Sequence, residues 1–231
     1  MTDILILHGW GSRSQNWSEV RNLLEAQGIK VYIPDLPGFG QSPPLERPWS
    51  LDDYVEWLLK FINDSQARGE LSEPFFLLGH SFGGAVAVKF TLKHPEKLKK
   101  LFLVAPAIIR RKSSQKERFK KTASFFSFLP SFIKKIIYKL FIPSDYPVTK
   151  GVIRETYLKI IKEDLSSSLS EIKVPTIIIW GKEDKVTPFK EAHFIKEKIS
   201  GAFLEILPKI GHSPHREVPG ELTRTILRHL Q

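Results

Sequence analysis

One short segment constrains this chain more than any other: Gly79-His80-Ser81-Phe82-Gly83-Gly84. It follows the apolar run Phe75-Phe76-Leu77-Leu78 and precedes a helix-forming stretch, residues 85–93. G-x-S-x-G between a strand and a helix is typical of a nucleophile elbow, a turn so tight that its central residue takes strained backbone angles. The segment therefore predicts that Ser81 Oγ is exposed at the carboxyl edge of a sheet. It also predicts that the Phe82 N–H, in the first turn of the helix, points into the same site.

Taken alone, this pattern fits a glycine-rich helix start in any α/β protein equally well, so the surrounding chain has to decide. Short apolar runs alternate with segments whose apolar residues recur at helical spacing, and this alternation predicts parallel β-α-β units. The predicted strands are residues 4–7, 29–33, 74–78, 98–104, 175–180 and 202–207. The predicted helices are residues 17–25, a segment from 51 to 62, and residues 85–93, 188–199 and 219–230.

Two of these helices carry more specific expectations. Ser50 is placed to cap the helix that begins at Leu51, and Asp53, three residues after Ser50, completes a pattern close to a capping box. In the helix over 17–25, one face is expected to consist of Trp17, Val20, Leu23 and Leu24.

The alternation stops at Pro106 and resumes after residue 171. Residues 106–171 show no clear strand and are rich in lysine, arginine, serine and phenylalanine. With 231 residues, 42% of them apolar, the chain is long enough for one α/β domain with a sizeable core. We therefore expect a core domain built from residues 1–105 and 172–231, interrupted by an insertion over 106–171.

The loops after three predicted strands carry the residues of a catalytic triad. A serine hydroxyl is a weak nucleophile at neutral pH, and it needs a base to accept its proton and an acid to hold that base. Asp184 follows the strand that ends at Trp180, and His212 follows the strand that ends at Leu207, which gives the chain order serine, acid, histidine. The prediction is that Ser81 is the nucleophile, Asp184 the acid and His212 the base.

The acid and the base each have a neighbouring alternative. Glu183 adjoins Asp184 and could replace it as the acid. His215 lies three residues after His212, but it lacks a preceding glycine and lies beyond Pro214. Three other polar residues are expected to brace loops or line the pocket and not to react: His8, His80 and Asp35.

These loops and two others resemble the α/β-hydrolase superfamily. His8-Gly9-Trp10-Gly11 is similar to its HGxx oxyanion loop, and residues 35–42 (DLPGFGQS) are similar to its D-x-P-G-x-G-x-S loop. The resemblance covers nearly the whole chain except the insertion. Within the superfamily, the HGWG and DLPGFG segments most resemble esterases of the pimeloyl-carrier-protein methyl ester type. The meta-cleavage C–C hydrolases and small carboxylesterases are similar.

The resemblance implies an α/β-hydrolase fold, with a mostly parallel sheet, helices on both faces and a helical lid over 106–171. The chain starts at what would be the third strand of the family, so about six strands are expected, with the N-terminal hairpin reduced or absent. The implied oxyanion hole consists of the backbone N–H groups of Trp10 and Phe82. Serine at position 81, where dehalogenases and epoxide hydrolases carry aspartate, argues against both.

The insertion also carries most of the charge. It holds 14 lysines and arginines against 6 acidic residues, which accounts for +8 of the net charge of +10. Residues 110–121 are strongly basic, and residues 125–141 alternate apolar and basic residues at helical spacing. Either the apolar faces pack on the core with the lysines in water, or the lid attracts an acidic carrier protein or an anionic lipid surface. No recognised nucleic-acid motif supports a nucleic-acid partner.

The remaining composition narrows the class of protein. The absence of cysteine excludes disulfides and thiolate metal sites, and no acidic or histidine cluster has metal-ligand spacing, so no cofactor is expected. No run approaches the roughly 18 apolar residues of a transmembrane helix. The first apolar run is too short for a signal peptide and has no basic flank, so a cytoplasmic location is expected.

Together these observations predict a serine carboxylesterase that works through an acyl-enzyme on small-molecule or acyl esters. A C–C bond hydrolase, a lipase-like enzyme or an acyltransferase would use the same triad, and these alternatives stay open. From another class, a non-catalytic binding protein with the same fold also stays open.

Overall fold

The computed structural model describes residues 2–110 and 150–230, and a six-stranded sheet forms its centre. The strands are β1 (Thr2–Leu7), β2 (Ile29–Tyr32), β3 (Phe75–His80), β4 (Leu98–Val104), β5 (Thr176–Gly181) and β6 (Phe203–Leu207). They lie in the order β2-β1-β3-β4-β5-β6, and every neighbouring pair is parallel. The expectation of about six mostly parallel strands is confirmed.

Helices cover both faces of this sheet. They are α1 (Ser18–Glu25), α2 (Leu51–Ala67), α3 (Phe82–Lys93), α4 (Gly151–Ile160), α5 (Lys190–Lys198), α6 (Pro214–Glu217) and α7 (Pro219–Arg228). Along β1, Leu5 and Leu7 belong to an apolar layer shared with α2, α3 and α5, whereas Ile4 and Ile6 belong to a layer shared with α1 and α7. A sheet buried on both faces needs apolar side chains on both, which is why its strands are continuous apolar runs in the sequence.

The order of the strands fixes where a site can form. The chain leaves β1 for β2 on one side and then returns to place β3 on the other side of β1. The carboxyl ends of β1 and β3 are therefore neighbours, with Leu7 paired to Gly79. Ligands of open parallel sheets bind at such a reversal, outside the carboxyl ends of the strands.

The predicted cap of α2 is present. Ser50 Oγ accepts a hydrogen bond from the Asp53 N–H at 3.3 Å, and Asp53 Oδ2 accepts one from the Ser50 N–H at 2.6 Å. These reciprocal bonds form the expected capping box and satisfy two donors that a helix start otherwise leaves free.

The prediction for α1 is partly wrong. Residues 14–17 form a 3-10 turn, and the α-helix starts only at Ser18. Val20 and Leu24 are buried as expected, but Leu23 is 38% exposed. Trp17, Val20 and Leu24 share one buried cluster. At 3.6 residues per turn, Leu23 lies about 60° beyond Val20 around the helix axis, on the side away from Leu24, so it falls at the exposed edge of this face. The sequence also missed α6 and placed the start of the elbow helix three residues late.

Only parts of the predicted insertion fall within the described residues. Residues 106–110 and 150–171 contain α4 and a 3-10 turn at Leu169–Glu171, and no strand occurs in these two stretches. The basic run over 111–121 and the apolar-basic run over 125–141 lie outside the described residues, so the lid and its boundaries stay predictions. The helix α4 packs on the core, because Thr156 Oγ1 accepts the Trp49 N–H at 3.1 Å.

Candidate active site

Ser81 lies in a strained turn between β3 and α3. Its φ is +52°, in the left-handed region that residues other than glycine rarely adopt. The surrounding chain holds this conformation, because the Ser81 N–H donates to Val104 O at 3.1 Å and Ser81 O accepts the Ala107 N–H at 2.9 Å. A Cβ on Gly79 would lie 2.7 Å from Ala87 Cβ. The tight turn therefore needs a glycine at that position, as the elbow pattern predicts.

The structure brings Ser81, His212 and Asp184 into one hydrogen-bonded chain. His212 Nε2 lies 3.0 Å from Ser81 Oγ, and His212 Nδ1 lies 2.7 Å from Asp184 Oδ2. Ionised carboxylates only accept, so Nδ1 carries the proton donated to Asp184 and the Nε2 lone pair faces the Ser81 hydroxyl. In this tautomer, His212 can take the hydroxyl proton of Ser81.

The carboxylate of Asp184 is buried and is held by its own loop. Its Oδ1 accepts the N–H groups of Val186 at 2.7 Å and Thr187 at 3.0 Å, and its Oδ2 accepts the Thr187 hydroxyl at 2.7 Å. The Thr187 hydroxyl oxygen also lies 3.2 Å from His212 Nδ1. The sequence prediction missed Thr187, because a loop threonine three residues after an aspartate gives no distinctive signal by itself.

The two alternative residues lie elsewhere. Glu183 is exposed, whereas the Asp184 side chain is fully buried and in contact with His212. The His215 ring is 4% exposed and stacks on Trp17, with ring centroids 4.3 Å apart and 2° between the planes. Burial, the largest cause, together with the nearby charges of Arg216 and His212, lowers the pKa of His215 to about 3. His215 therefore stays neutral at ordinary pH.

Another residue that the sequence prediction missed fixes the loop of His212. The two carboxylate oxygens of Glu217 accept the N–H groups of Gly211, at 2.8 Å, and Ser213, at 2.9 Å. These amides flank His212 on both sides. An acidic residue four positions after Ser213, at the end of a one-turn helix, is the signal that could have indicated this clamp.

The loops after β1 and β2 are tied together beside the elbow. The buried ring of His8 donates from Nδ1 to Gly9 O and accepts the Leu36 N–H at Nε2, both at 2.9 Å. Burial lowers the pKa of His8, so the ring stays neutral. Asp35 accepts the Ser14 N–H at 2.5 Å and the Gln41 N–H at 2.7 Å. His8 and Asp35 therefore brace loops, as expected.

The loop that carries Trp10 adjoins Ser81. A Cβ on Gly9 would lie 3.3 Å from Ser81 Cβ, and the rings of Trp10 and Phe82 meet edge to face with centroids 5.2 Å apart. Phe82 is the first residue of α3, so its N–H has no acceptor within the helix. Trp10 and Phe82, the residues of the predicted oxyanion hole, therefore contact each other next to Ser81, and the oxyanion hole itself stays a prediction.

An aromatic cluster, which the sequence did not predict, surrounds these two residues. The ring of Trp10 lies 4.8 Å from Phe39 and 5.2 Å from Tyr157 on α4, and Phe82 lies 5.0 Å from Tyr54. Edge-to-face contacts of this kind stabilise the packing by more than the burial of apolar area alone. The region next to the elbow is therefore a packed aromatic cluster, in which Phe39, Phe82 and Tyr54 are buried.

Over residues 2–110 and 150–230, no three histidine or acidic side chains are grouped so that they could hold a metal ion. None of the helices described in this structure is both long enough and apolar enough to cross a bilayer.

The family of the chain follows from its similarity to known proteins. The family model described as serine aminopeptidase, S33, matches residues 2–219, and the chain belongs to this hydrolase family. Lipase 3 of Moraxella sp. is 26% identical over 236 residues, which cover 91% of this chain and 71% of the lipase. The pimeloyl-[acyl-carrier protein] methyl ester esterase of Aeromonas hydrophila is 27% identical over 246 residues, which cover 97% of this chain and 93% of that esterase.

Solved structures agree with the expected fold. An esterase from Exiguobacterium antarcticum matches with a TM-score of 0.78 at 22% identity, covering 100% of this chain and 92% of that one. An α/β-hydrolase enzyme from the metagenome of lagoon sediments matches with a TM-score of 0.68 at 27% identity, covering 98% of this chain and 89% of its own. The fold of this chain is the α/β-hydrolase fold.

Proposed function

We propose that this member of the S33 family is a serine carboxylesterase that cleaves carboxylic esters through an acyl-enzyme at Ser81. The observation that carries the proposal is the hydrogen-bonded chain from Asp184 through His212 to Ser81 Oγ. The names of the esterase and lipase relatives support an ester as the substrate.

In the proposed acylation, Ser81 Oγ attacks the ester carbonyl carbon while its proton passes to His212 Nε2. The carbonyl oxygen becomes an oxyanion, which accepts the N–H groups of Trp10 and Phe82. The carboxylate of Asp184 stabilises the imidazolium that has formed. The bond between the carbonyl carbon and the leaving oxygen then breaks, and His212 returns the proton to that oxygen, which releases the alcohol and leaves the acyl group on Ser81.

Deacylation follows the same two steps, with water as the nucleophile and Ser81 Oγ as the leaving group. The water oxygen attacks the acyl carbon as one of its protons passes to His212 Nε2. The bond from that carbon to Ser81 Oγ breaks, and Oγ recovers the proton. The products are the free acid and the original enzyme, so the reaction needs no group beyond the chain and water.

The aromatic cluster around Trp10 supports an apolar group on the substrate. Trp10 and Phe82 supply the proposed oxyanion donors from their backbones, and their rings pack with Phe39 beside Ser81. Trp10 is partly exposed, and burying an apolar chain against it would stabilise binding by about 25 cal/mol per Å² of area removed from water.

We further propose that the basic insertion attracts an acidic carrier protein that bears the ester. The charge of +8 over 106–171 and the carrier-linked substrate in the name of the Aeromonas relative support this partner.

The first experiment measures the turnover of p-nitrophenyl esters from acetate to decanoate, together with labelling by a fluorophosphonate. The expected result is saturable ester hydrolysis, with a single label located by mass spectrometry on Ser81. An aminoacyl p-nitroanilide, which tests the peptidase activity in the family description, is expected to react more slowly. A folded chain that neither turns over any ester nor takes the label would contradict the proposal and favour a binding protein.

The second experiment tests the carrier. A methyl ester on an acidic carrier protein is expected to show a kcat/KM that falls as ionic strength rises, whereas a short neutral ester should show no such dependence. Replacing Lys120 and Lys121 by glutamine should weaken the carrier reaction alone, and replacing Lys60 and Lys196 is the matched control. If kcat/KM is equal for both substrates and insensitive to salt, the proposal of a carrier partner is wrong. A salt-sensitive increase in kcat/KM that occurs only on anionic vesicles would indicate a lipid surface.

A further inference from the structure

His80 lies at a buried junction between the loops that carry the proposed reacting groups. It is the last residue of β3, directly before Ser81, and only 4% of it is exposed. Its Nε2 lies 2.8 Å from the main-chain oxygen of His212. On the opposite side of the ring, a Cβ on Gly9 would lie 3.0 Å from His80 Nδ1. One ring therefore contacts the loop of the base and the loop of the oxyanion donor.

The hydrogen bond determines the tautomer of this ring. A carbonyl oxygen can only accept, so His80 Nε2 carries the proton and Nδ1 keeps a lone pair. Within the part of the chain that the structure describes, His80 Nδ1 is buried and has no hydrogen-bond partner. A proton on Nδ1 would be a buried donor without an acceptor, so the geometry favours the neutral ring.

The groups that face His80 also favour the neutral form. His212 and His215 lie 5.0 Å and 4.7 Å from it between ring centroids, and Trp17 lies 5.9 Å away. Burial, followed by the charges that His215, His212 and His8 can carry, lowers the pKa of His80 far below its usual range. Asp184 and Asp35 bond to His212 and to the loop beside His8, so neither carboxylate pairs with His80.

We propose that His80 is a positioning residue for the reaction: its Nε2–H holds the main-chain carbonyl of His212 and thereby keeps the imidazole of the base in line with Ser81 Oγ. This inference rests on the proposed function. Glu217 already fixes the N–H groups on both sides of His212, and His80 supplies the third attachment, on the carbonyl. With the main chain held at three points, only the side-chain torsions of His212 remain, and the bond to Asp184 sets those.

The geometry separates this role from simple packing. A phenylalanine at position 80 would occupy the same space between Gly9 and His215 but could not donate to His212. A glutamine reaches about as far as the Nε2 of histidine and carries an N–H donor at its end. If His80 only fills space, the phenylalanine variant should keep kcat close to the wild-type value. If His80 positions His212, the glutamine variant should have the higher kcat of the two.

The experiment compares His80→Phe, His80→Gln and the matched control His215→Phe, which also replaces a buried histidine ring but removes no bond to His212. His80→Phe is expected to lower kcat for a p-nitrophenyl ester by about 10- to 100-fold, since small misplacements of a catalytic group can cost this much. KM should change less than twofold, and the fluorophosphonate labelling rate should fall with kcat. His80→Gln should recover most of the loss, and His215→Phe should leave kcat within about twofold of the wild type.

Folded His80→Phe with the wild-type kcat, or His80→Gln as slow as His80→Phe, would overturn the positioning role. A wild-type chain with neither turnover nor label would instead contradict the proposed function. If neither His80 variant folds, the ¹⁵N spectrum of the wild-type histidines still decides. We expect the His80 signals of a neutral ring protonated at Nε2 throughout the pH range of activity, and a ring protonated at Nδ1 would overturn the inference.

Discussion

Two layers at the carboxyl edge of the sheet use histidine in opposite ways. The first, which we call the reacting layer for its proposed role, consists of Ser81, His212 and Asp184. The second, which we call the buried layer, consists of His80, His215 and Trp17, in contact with His212. His212 is 16% exposed in its side chain and has a partner on each ring nitrogen. His215, three residues later, is stacked on an indole, and its Nδ1 has no partner among the residues that the structure describes.

The difference shows that surroundings, and not residue type, decide what a histidine does. Burial without a carboxylate partner penalises the charged ring, so His215 stays neutral. Beside the carboxylate of Asp184, an imidazolium is stabilised, which is what a general base requires when it accepts a proton. Each of the following changes tests one side of this contrast.

The largest effect is expected in the reacting layer from Ser81→Ala. Removing the proposed nucleophile should lower kcat/KM for p-nitrophenyl esters by about 10⁴-fold or more. The melting temperature should change little, because the side chain loses only one oxygen. Ser170→Ala, at an exposed position, is the control and should retain full activity. Turnover by a folded Ser81→Ala protein would place the reaction outside this layer.

Asp184→Asn should be the next most severe change. An amide at this position can hold the wrong tautomer of His212 and cannot stabilise the imidazolium, so kcat should fall by about 10³- to 10⁴-fold. Glu183→Gln removes the adjacent carboxylate, which points away into solvent, and should change kcat less than twofold. Equal losses from the two variants would mean that the burial of Asp184 does not select the acid.

In the buried layer, the lowered pKa of His215 should make the free energy of unfolding depend on pH. With a pKa of about 3 in the folded chain, His215 stays neutral while the unfolded chain gains a proton below pH 6.5. The free energy of unfolding should therefore fall as the pH falls, by about 2 kcal/mol from this group between pH 7 and pH 5.

Urea unfolding at both pH values measures this difference, and His215→Phe is the comparison because it keeps an aromatic ring beside Trp17. The wild type should lose about 2 kcal/mol more than the variant on acidification. Equal losses in the two proteins would show that His215 titrates normally, and the contrast between the layers would then fail.

The smallest effect is expected from Glu217→Ala, which removes the clamp on the loop of His212. The carboxylate is exposed, so its two hydrogen bonds should stabilise the loop by only about 1 kcal/mol, and kcat should fall by about three- to tenfold. Glu197→Ala, on the exposed face of α5, is the control and should have no effect on kcat. A loss as large as that of Asp184→Asn would mean that Glu217 takes part in the chemistry.

The sequence predicted the residues of the reacting layer because each of them lies in a short, recognisable sequence pattern. A glycine pattern marks the elbow, and Asp184 and His212 each follow a recognisable apolar strand. Parallel strands bring the loops at their carboxyl ends to one edge, which is why three loops far apart in the chain meet. Thr187 was missed because many loop threonines bond to nothing in particular, and only the buried carboxylate of Asp184 makes this one significant.

Almost no local sequence pattern predicted the contacts of the buried layer. The stacking of His215 on Trp17 joins a 3-10 turn near the N-terminus to a one-turn helix near the C-terminus, and no periodicity predicts such a contact.

By itself, the sequence determined the alternation of strands and helices, the capping box of α2 and the residue types at the strand ends. These features depend on neighbours within a few positions, through backbone sterics, helix periodicity and local hydrogen bonds. Only the tertiary structure decided which histidine faces Ser81 and which is buried and neutral. It also decided that His80 bonds to His212, 132 positions away. Those outcomes depend on desolvation and on contacts between distant segments, which exist only once the sheet has assembled.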